Sequence, residues 1–345
     1  MATVHVTAPD GGYDIVIEPG LLSRVESWEL HGSVVVVTNT TLAPLYGEKL
    51  AARLGAALVI VPDGEQYKTL EIVAQLYREF VSVGLDRSGT VIALGGGVVG
   101  DTAGFAAATY MRGVRLVQVP TSLLAMVDSS VGGKVGVDLP QGKNLVGAFK
   151  QPDIVLVDPS ALTTLPQREW RCGLAEVIKH GLLADAALLE MASCSQNDTR
   201  AAAELVRRAV QVKVDVVQQD PFEQNIRAHL NLGHTFAHAI EQVSGYRWPH
   251  GEAVGVGLLA AARLSYRLNL CGASVPEQVE RILKNIHLPH RLDNLDPQAL
   301  YAAMATDKKW QSGRSRFVLL SEVGKAEIVE HIAPEYIIST LEELL

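Results

Sequence analysis

The chain has 345 residues, and 30 Lys plus Arg against 38 Asp plus Glu leave a net charge of −8. Hydrophobic residues make up 48 % and charged residues 20 %, which excludes a disordered chain and predicts a sizeable core, with a length suited to two domains. The acidic balance argues against a general nucleic-acid binder, so an anionic small-molecule substrate must be met by locally concentrated Lys and Arg.

The opening Met1-Ala2-Thr3-Val4-His5-Val6 runs straight into alternating apolar residues, without the basic region and apolar core of a signal peptide. Val34–Val37 and Ala57–Val61 read as buried strands. Lys68 to Val83 carries helical periodicity through Leu70, Ile72, Val73, Leu76 and Phe80. Val91–Leu94 predicts a strand, followed by a glycine turn and a helix to Tyr110; Leu116–Val119 and Ile154–Val157 predict two more strands. Strands alternating with helices predict a parallel-type sheet covered on both faces. After Pro166 the pattern turns helical over 173–190, 198–218, 233–243, 251–269 and 275–286, with a hairpin at 316–331. The expected organisation is an α/β domain over 1–160 and a mainly α-helical domain over 161–345. No run approaches the roughly 18 apolar residues of a membrane span. Cys172, Cys194 and Cys271 are odd in number and widely spaced, as expected of unpaired, buried thiols in a reducing cytoplasm.

Gly95-Gly96-Gly97-Val98-Val99-Gly100-Asp101 follows a strand and opens a helix, where glycines let backbone N–H groups approach a pyrophosphate. The acidic residue a standard fingerprint wants about 20 residues on is missing, because the next strand ends Gln118-Val119-Pro120. On spacing alone a non-standard nucleotide site, a standard one and a purely structural turn stay open. Asp63-Gly64-Glu65-Gln66-Tyr67-Lys68 offers carboxylates for ribose hydroxyls and a Lys for phosphate, or an ordinary solvated helix cap. Asp128-Ser129-Ser130-Val131-Gly132-Gly133-Lys134 and Gly142-Lys143-Asn144 read as a basic, glycine-rich loop whose donors and charges suit phosphate.

In the helical region His234 and His238 stand at i, i+4 and share one helix face. His250-Gly251-Glu252 follows, and Glu176 lies in the apolar run Leu174–Ile178. Two His plus one carboxylate is a catalytic zinc pattern, and the absence of His-Glu-x-x-His sets it apart from the zincin proteases. Lys179 shares the face of Glu176; Lys213, Glu223, Arg227 and Asn231 lie in the same region. Each charge alone reads as a solvated residue, and their convergence on a metal-bearing region is what points to a site.

Together these segments resemble the 3-dehydroquinate synthase family. The matching stretches also include Gly104-Phe105, Ala107–Gly113, Thr121-Ser122-Leu123-Leu124, Gly173–Lys179, Asn231–Glu241 and Asp307-Lys308-Lys309, and the resemblance spans roughly residues 30–320. It implies a non-standard NAD site in an α/β domain and a divalent metal, zinc or cobalt, held by Glu176, His234 and His250. His238 is then a site histidine rather than a ligand. The implied NAD contacts are Asp63, Glu65, Lys68, Gly96, Gly97, Asp101, Thr121, Ser122, Lys134, Lys143, Thr163 and Thr164. The implied substrate contacts are Arg112, Asp128, Lys134, Asn144, Lys179, Lys213, Glu223, Arg227, Asn231, His238 and Lys308 or Lys309.

The family reaction converts 3-deoxy-D-arabino-heptulosonate 7-phosphate, a phosphorylated sugar acid, into 3-dehydroquinate and phosphate in the shikimate pathway. It implies oxidation at C5, loss of phosphate from C7, return of the hydride, ring opening and an intramolecular aldol closure. His238 and Lys179 then suit a proton relay, Lys213 and Arg227 the substrate carboxylate, and Lys134, Asn144 and Arg112 the phosphate. The resemblance also implies a cytoplasmic homodimer in which Arg112 reaches the neighbouring subunit's site. Ser122, Val135, Asp138, Ala161 and Ala237 depart from the common pattern without removing a proposed ligand or charge. The alternatives are a 2-deoxy-scyllo-inosose- or valiolone-type cyclase and, further off, a glycerol-1-phosphate-type NAD dehydrogenase.

Overall fold

The computed structural model describes residues 1–9, 11–25, 28, 30–305 and 315–345. They form two compact units, Met1–Leu165 with Gln196–Val214, and Pro166–Ser195 with Asp215–Leu345. Instead of the single boundary expected at 160/161, the chain passes between units at 165/166, 195/196 and 214/215.

The first unit contains strands β1 (Ala2–Val6), β2 (Tyr13–Ile17), β3 (Val34–Asn39), β4 (Ala57–Val61), β5 (Thr90–Gly95), β6 (Arg115–Pro120), β7 (Lys134–Leu139), β8 (Gly142–Phe149) and β9 (Ile154–Val157). Seven of them form one sheet in the order β1-β2-β9-β6-β5-β3-β4. Its pairs are parallel except β1–β2. Successive side chains of a strand point to opposite faces, so near-continuous apolar runs serve two cores. Val35, Val37, Val91 and Ala93 enter one core, while Val36, Ile92 and Leu94 enter the other. Helices α1 (Glu48–Leu54), α2 (Leu70–Ser82) and α3 (Gly97–Thr109) follow β3, β4 and β5. Thr69 caps α2 by accepting the Ile72 N–H at 3.4 Å.

Of the segments expected to be a basic loop, Lys134 and Gly142-Lys143-Asn144 belong instead to the β7–β8 hairpin, with Lys134 pairing opposite Phe149, while residues 130–133 remain a turn. Five glycines at 132, 133, 136, 142 and 147 dilute the apolar alternation of Val135 and Val137, which hid the strands from a periodicity reading. The hairpin packs on α3, a helix of small residues buried nearly all round.

The second unit is helical apart from the antiparallel hairpin β10 (Arg316–Glu322) and β11 (Lys325–Glu330). It contains α4 (Gln167–Leu183) and α5 (Ala187–Met191) where one helix was expected; α4 starts directly after Pro166. Helix α6 (Thr199–Gln219) contributes its earlier part to the first unit. Then come α7 (His234–Val243), α8 (His250–Arg267), α9 (Ser274–Asn285), α10 (Pro297–Ala305) and α11 (Pro334–Glu342). The long helix α8 packs against α4, α7, α9 and α11 and is buried along most of its length. Of the three cysteines expected to be buried, Cys172 is, while Cys194 and Cys271 are partly exposed. Among the described residues, no helix is long and apolar enough to cross a membrane.

Candidate active site

In the first unit, the parallel strands end beside one another and present the predicted nucleotide residues. Asp63, past the end of β4, accepts from Asn39 Nδ2 at 2.7 Å and Thr41 Oγ1 at 2.6 Å. Gly96 precedes α3 with no side-chain cap on the first-turn N–H groups. That arrangement fits a phosphate, which takes those donors and the positive end of the helix dipole. Thr121 is buried after β6 and donates its N–H to Gly95 O at 3.0 Å; Ser122 Oγ accepts the Ala125 N–H at 3.3 Å. Thr164, after β9, shares a 2.7 Å hydrogen bond with Tyr46, and Thr163 Oγ1 donates to Ser160 O at 2.7 Å. Ligands of open α/β sheets bind at such carboxyl ends of strands.

Lys68 ties three predicted residues together. Its buried Nζ donates to Asp101 Oδ2 and to Asn144 Oδ1, both at 2.6 Å. Burial opposes its charge, but the carboxylates of Asp101, Glu65 and Asp138 prevail and hold its pKa above the ordinary lysine value. The backbone joins in, since Asp138 N–H donates to Lys68 O at 2.8 Å and Asn144 N–H to Asp138 Oδ1 at 2.7 Å. Lys143 Nζ lies 3.4 Å from Glu65. A cavity of about 450 Å³ beside this network is lined by Asp101, Lys134, Asn144 and Phe149, among others.

Lys213 was grouped with the metal helices by sequence position, but it belongs to the first unit. Its Nζ donates to Asp128 O at 2.6 Å and pairs with the Asp128 carboxylate. Arg112 is exposed and stands apart. It follows the C-terminal end of α3, whose 13 residues at about 1.5 Å rise place it about 20 Å from the glycine turn. Met111 and Arg112 both have positive φ there.

In the second unit three helices bring Glu176, His234 and His250 together, with one ligand atom from each lying within 4.8 Å of the others. Glu176 Oε1 is 3.5 Å from Nε2 of both histidines. Ligands of a tetrahedral zinc, at bond lengths near 2.1 Å, lie about 3.4 Å apart, so the spacing fits a divalent metal. Lys179 pairs with Glu176 one turn along α4. Two glycines permit the gathering. A Cβ on Gly251 would collide with the Cys172 backbone, so glycine lets the start of α8 lie against α4. Gly233, at φ +78°, opens α7 where a Cβ would meet Leu258 N at 2.8 Å.

His238 lies one turn from His234, with ring centroids 5.7 Å apart, and is outside the ligand triad. Burial disfavours charge on His250, yet hydrogen bonds from its ring to Glu176 and Glu241 push its pKa up to about 10. Asn231 Nδ2 donates to Glu223 Oε1 at 2.9 Å. Arg227 is buried, and Asp220 shapes its loop by accepting the N–H groups of Gln224, Asn225 and Arg227 at 2.9, 2.6 and 3.1 Å. Lys308 and Lys309 lie outside the described residues.

Sequence reading assigned no role to Asn39, Thr41, Tyr46, Asp220 or Glu241. For Glu241 a signal existed, since it stands seven residues after His234 and returns to the same helix face. Asp220 acts on N–H groups four to seven residues on, whereas Asn39, Thr41 and Tyr46 are brought in by contacts that local spacing does not encode.

Two family models match the chain, the N-terminal part of 3-dehydroquinate synthase over residues 58–172 and its C-terminal part over 173–310. The 3-dehydroquinate synthase of Nitrosomonas europaea is 43 % identical over 350 residues, covering 97 % of this chain and 95 % of that protein. A 2-epi-5-epi-valiolone synthase from Streptomyces hygroscopicus subsp. jinggangensis, solved with NAD+ and Zn2+ bound, superposes with a TM-score of 0.91 at 30 % identity over 98 % of both chains. A 2-deoxy-scyllo-inosose synthase complexed with carbaglucose-6-phosphate, NAD+ and Co2+ reaches 0.91 at 27 % identity over the whole of both chains. With most of its length matched by both family models, this chain belongs to the 3-dehydroquinate synthase family.

Proposed function

We propose that the protein is a 3-dehydroquinate synthase, a carbon–oxygen lyase that converts 3-deoxy-D-arabino-heptulosonate 7-phosphate to 3-dehydroquinate and phosphate in the shikimate pathway. The observation that carries the reading is the Glu176, His234 and His250 triad at metal-ligand spacing, with Lys179 paired to it. When bound, NAD supplies a hydride acceptor that returns the hydride, and a divalent metal, zinc or cobalt, supplies a Lewis acid for the substrate hydroxyls.

The remaining work falls to the chain's own residues. Asp63, Glu65, Lys68, Gly96, Gly97, Asp101, Thr121, Ser122, Lys134, Lys143, Thr163 and Thr164 hold NAD, which makes the first unit the nucleotide-binding one. The second unit holds the metal residues, and both units contribute residues to the substrate. His238 and Lys179 pass the proton of the oxidised hydroxyl. Arg227 grips the substrate carboxylate with its planar fork, Lys213 adds a point charge, and Asp128 sets the position of that charge through the pairing described above. Lys134, Asn144 and Arg112 receive the phosphate, and Glu223 orients Asn231.

The test is direct assay of phosphate and 3-dehydroquinate, with and without NAD and a chelator. Both products should form together, and both should depend on NAD and metal. Reduced nicotinamide should not accumulate; one NADH released per turnover would identify a net dehydrogenase instead. A carboxylate-free sugar phosphate turned over equally well would move the assignment to a related cyclase.

We also propose a cytoplasmic homodimer in which Arg112 serves the partner's site. Support comes from its exposure and its distance along α3 from the glycine turn. Arg112→Ala and Glu176→Ala, each inactive alone, should regain about a quarter of wild-type activity when co-folded, because random pairing gives half the dimers one intact site. Confirmed heterodimers without activity reject the arrangement.

A further inference from the structure

We propose that Glu241 is a positioning residue of the metal site: its carboxylate fixes the His250 ring so that Nε2 faces Glu176. The inference rests on the metal reading above. Glu241 is 2 % exposed, and its Oε2 lies 3.3 Å from His250 Nδ1. On the other side of the same ring, Nε2 is 3.5 Å from Glu176 Oε1. His234 repeats the arrangement with a different partner. Its Nδ1 is 3.2 Å from the backbone oxygen of Leu232, and its Nε2 is also 3.5 Å from Glu176 Oε1.

A metal ligand must offer a lone pair, so His250 gives up a proton when a metal binds; the neutral imidazole has one N–H and one lone pair, and an acceptor at Nδ1 keeps the proton there and leaves the lone pair on Nε2. For His234 that acceptor comes from the chain two residues away. His250 is the first residue of α8, and its acceptor comes from another helix. Glu241 reaches it because residues 234 and 241 are two turns apart on α7 and share a face. A carboxylate also makes the imidazole a stronger donor than a carbonyl does, so His250 should depend on its partner more than His234 does.

The test uses Co2+ alone as the probe. Its dissociation constant is measured by chelator competition, and its visible absorption is recorded for wild type, Glu241→Gln and Glu241→Ala, with Glu176→Ala and His234→Ala as controls. Thermal midpoints of the metal-free forms are measured in parallel. Glu241→Ala should bind about 10- to 100-fold more weakly with a changed spectrum. Glu241→Gln keeps an acceptor oxygen and should recover part of the loss. Should Glu241→Ala fail to fold, Glu241→Gln decides by the same criterion.

Wild-type affinity and spectrum in the folded Glu241 variants, with binding lost in both controls, would overturn the Glu241 role and leave the metal site standing. A lowered midpoint with unchanged affinity would mark Glu241 as merely structural and also overturn it. Cobalt retained by the controls would overturn the metal site, and the Glu241 role with it.

Discussion

Each unit buries a lysine against a carboxylate, but the two pairs are built for different ends. In the first unit Lys68 has two side-chain acceptors, 33 and 76 residues away in sequence, and the network joins the end of one loop, a helix and a hairpin. In the second, Lys179 takes one oxygen of Glu176, while the other oxygen faces two imidazole nitrogens. The first network is complete in side chains and holds backbone segments in place for a ligand. The second gathers three donor atoms around one point, as a divalent cation requires of its ligands.

The sharpest way to break this contrast is to remove a donor. Glu176→Ala should lose retained metal and lower turnover by about 10³-fold or more, since Lewis-acid stabilisation of several kcal/mol goes with it. Metal analysis beside the phosphate assay checks this. Full metal content in Glu176→Ala, with loss in His238→Ala, would overturn the ligand assignment.

Breaking the other network should show as instability rather than metal loss. Lys68→Met leaves the largely buried Asp101 carboxylate without its cation, a defect of about 3 kcal/mol that lowers the melting midpoint by roughly 4 °C. Metal content should be unchanged. The pH dependence has a definite sign. The folded-state pKa of Lys68 is raised above its unfolded value of 10.5, so its contribution is fully present below about pH 10.5. It is lost as pH rises through the folded value. Wild-type stability should therefore fall more steeply than that of Lys68→Met in this alkaline range, and parallel curves would show that the pair contributes nothing.

A smaller effect sharpens the comparison within the second unit. Arg227→Lys keeps the charge but loses the planar fork, and turnover should drop about 10-fold with metal retained. Unchanged kinetics would remove Arg227 from carboxylate binding.

The candidate metal site was legible only in part from helical periodicity, because Glu176, His234 and His250 stand on three different helices and were grouped through the family resemblance. His234, His238 and Glu241 recur at four and seven residues, and Glu176 and Lys179 at three, so neighbours in pattern are neighbours on one face. The parallel sheet was legible for a similar reason, since Val34–Val37 and Val91–Leu94 are apolar runs buried on both sides. The β7–β8 hairpin was not, because glycines replaced the alternating side chains that mark a strand. Nor was the allegiance of Lys213, because α6 is one uninterrupted helix whose amphipathic pattern does not say that the helix up to Val214 joins the first unit.

By itself, then, the sequence determined the elements whose signals are short-range: strands from apolar runs, helices from period 3.6, and the shared helix face of His234 and His238. Only the tertiary structure decided which distant groups meet: His250 with Glu241, Lys68 with Asn144, and Lys213 with Asp128. Local propensity acts over a turn or two, whereas these contacts close loops of up to 85 residues and are selected by the packing of whole elements.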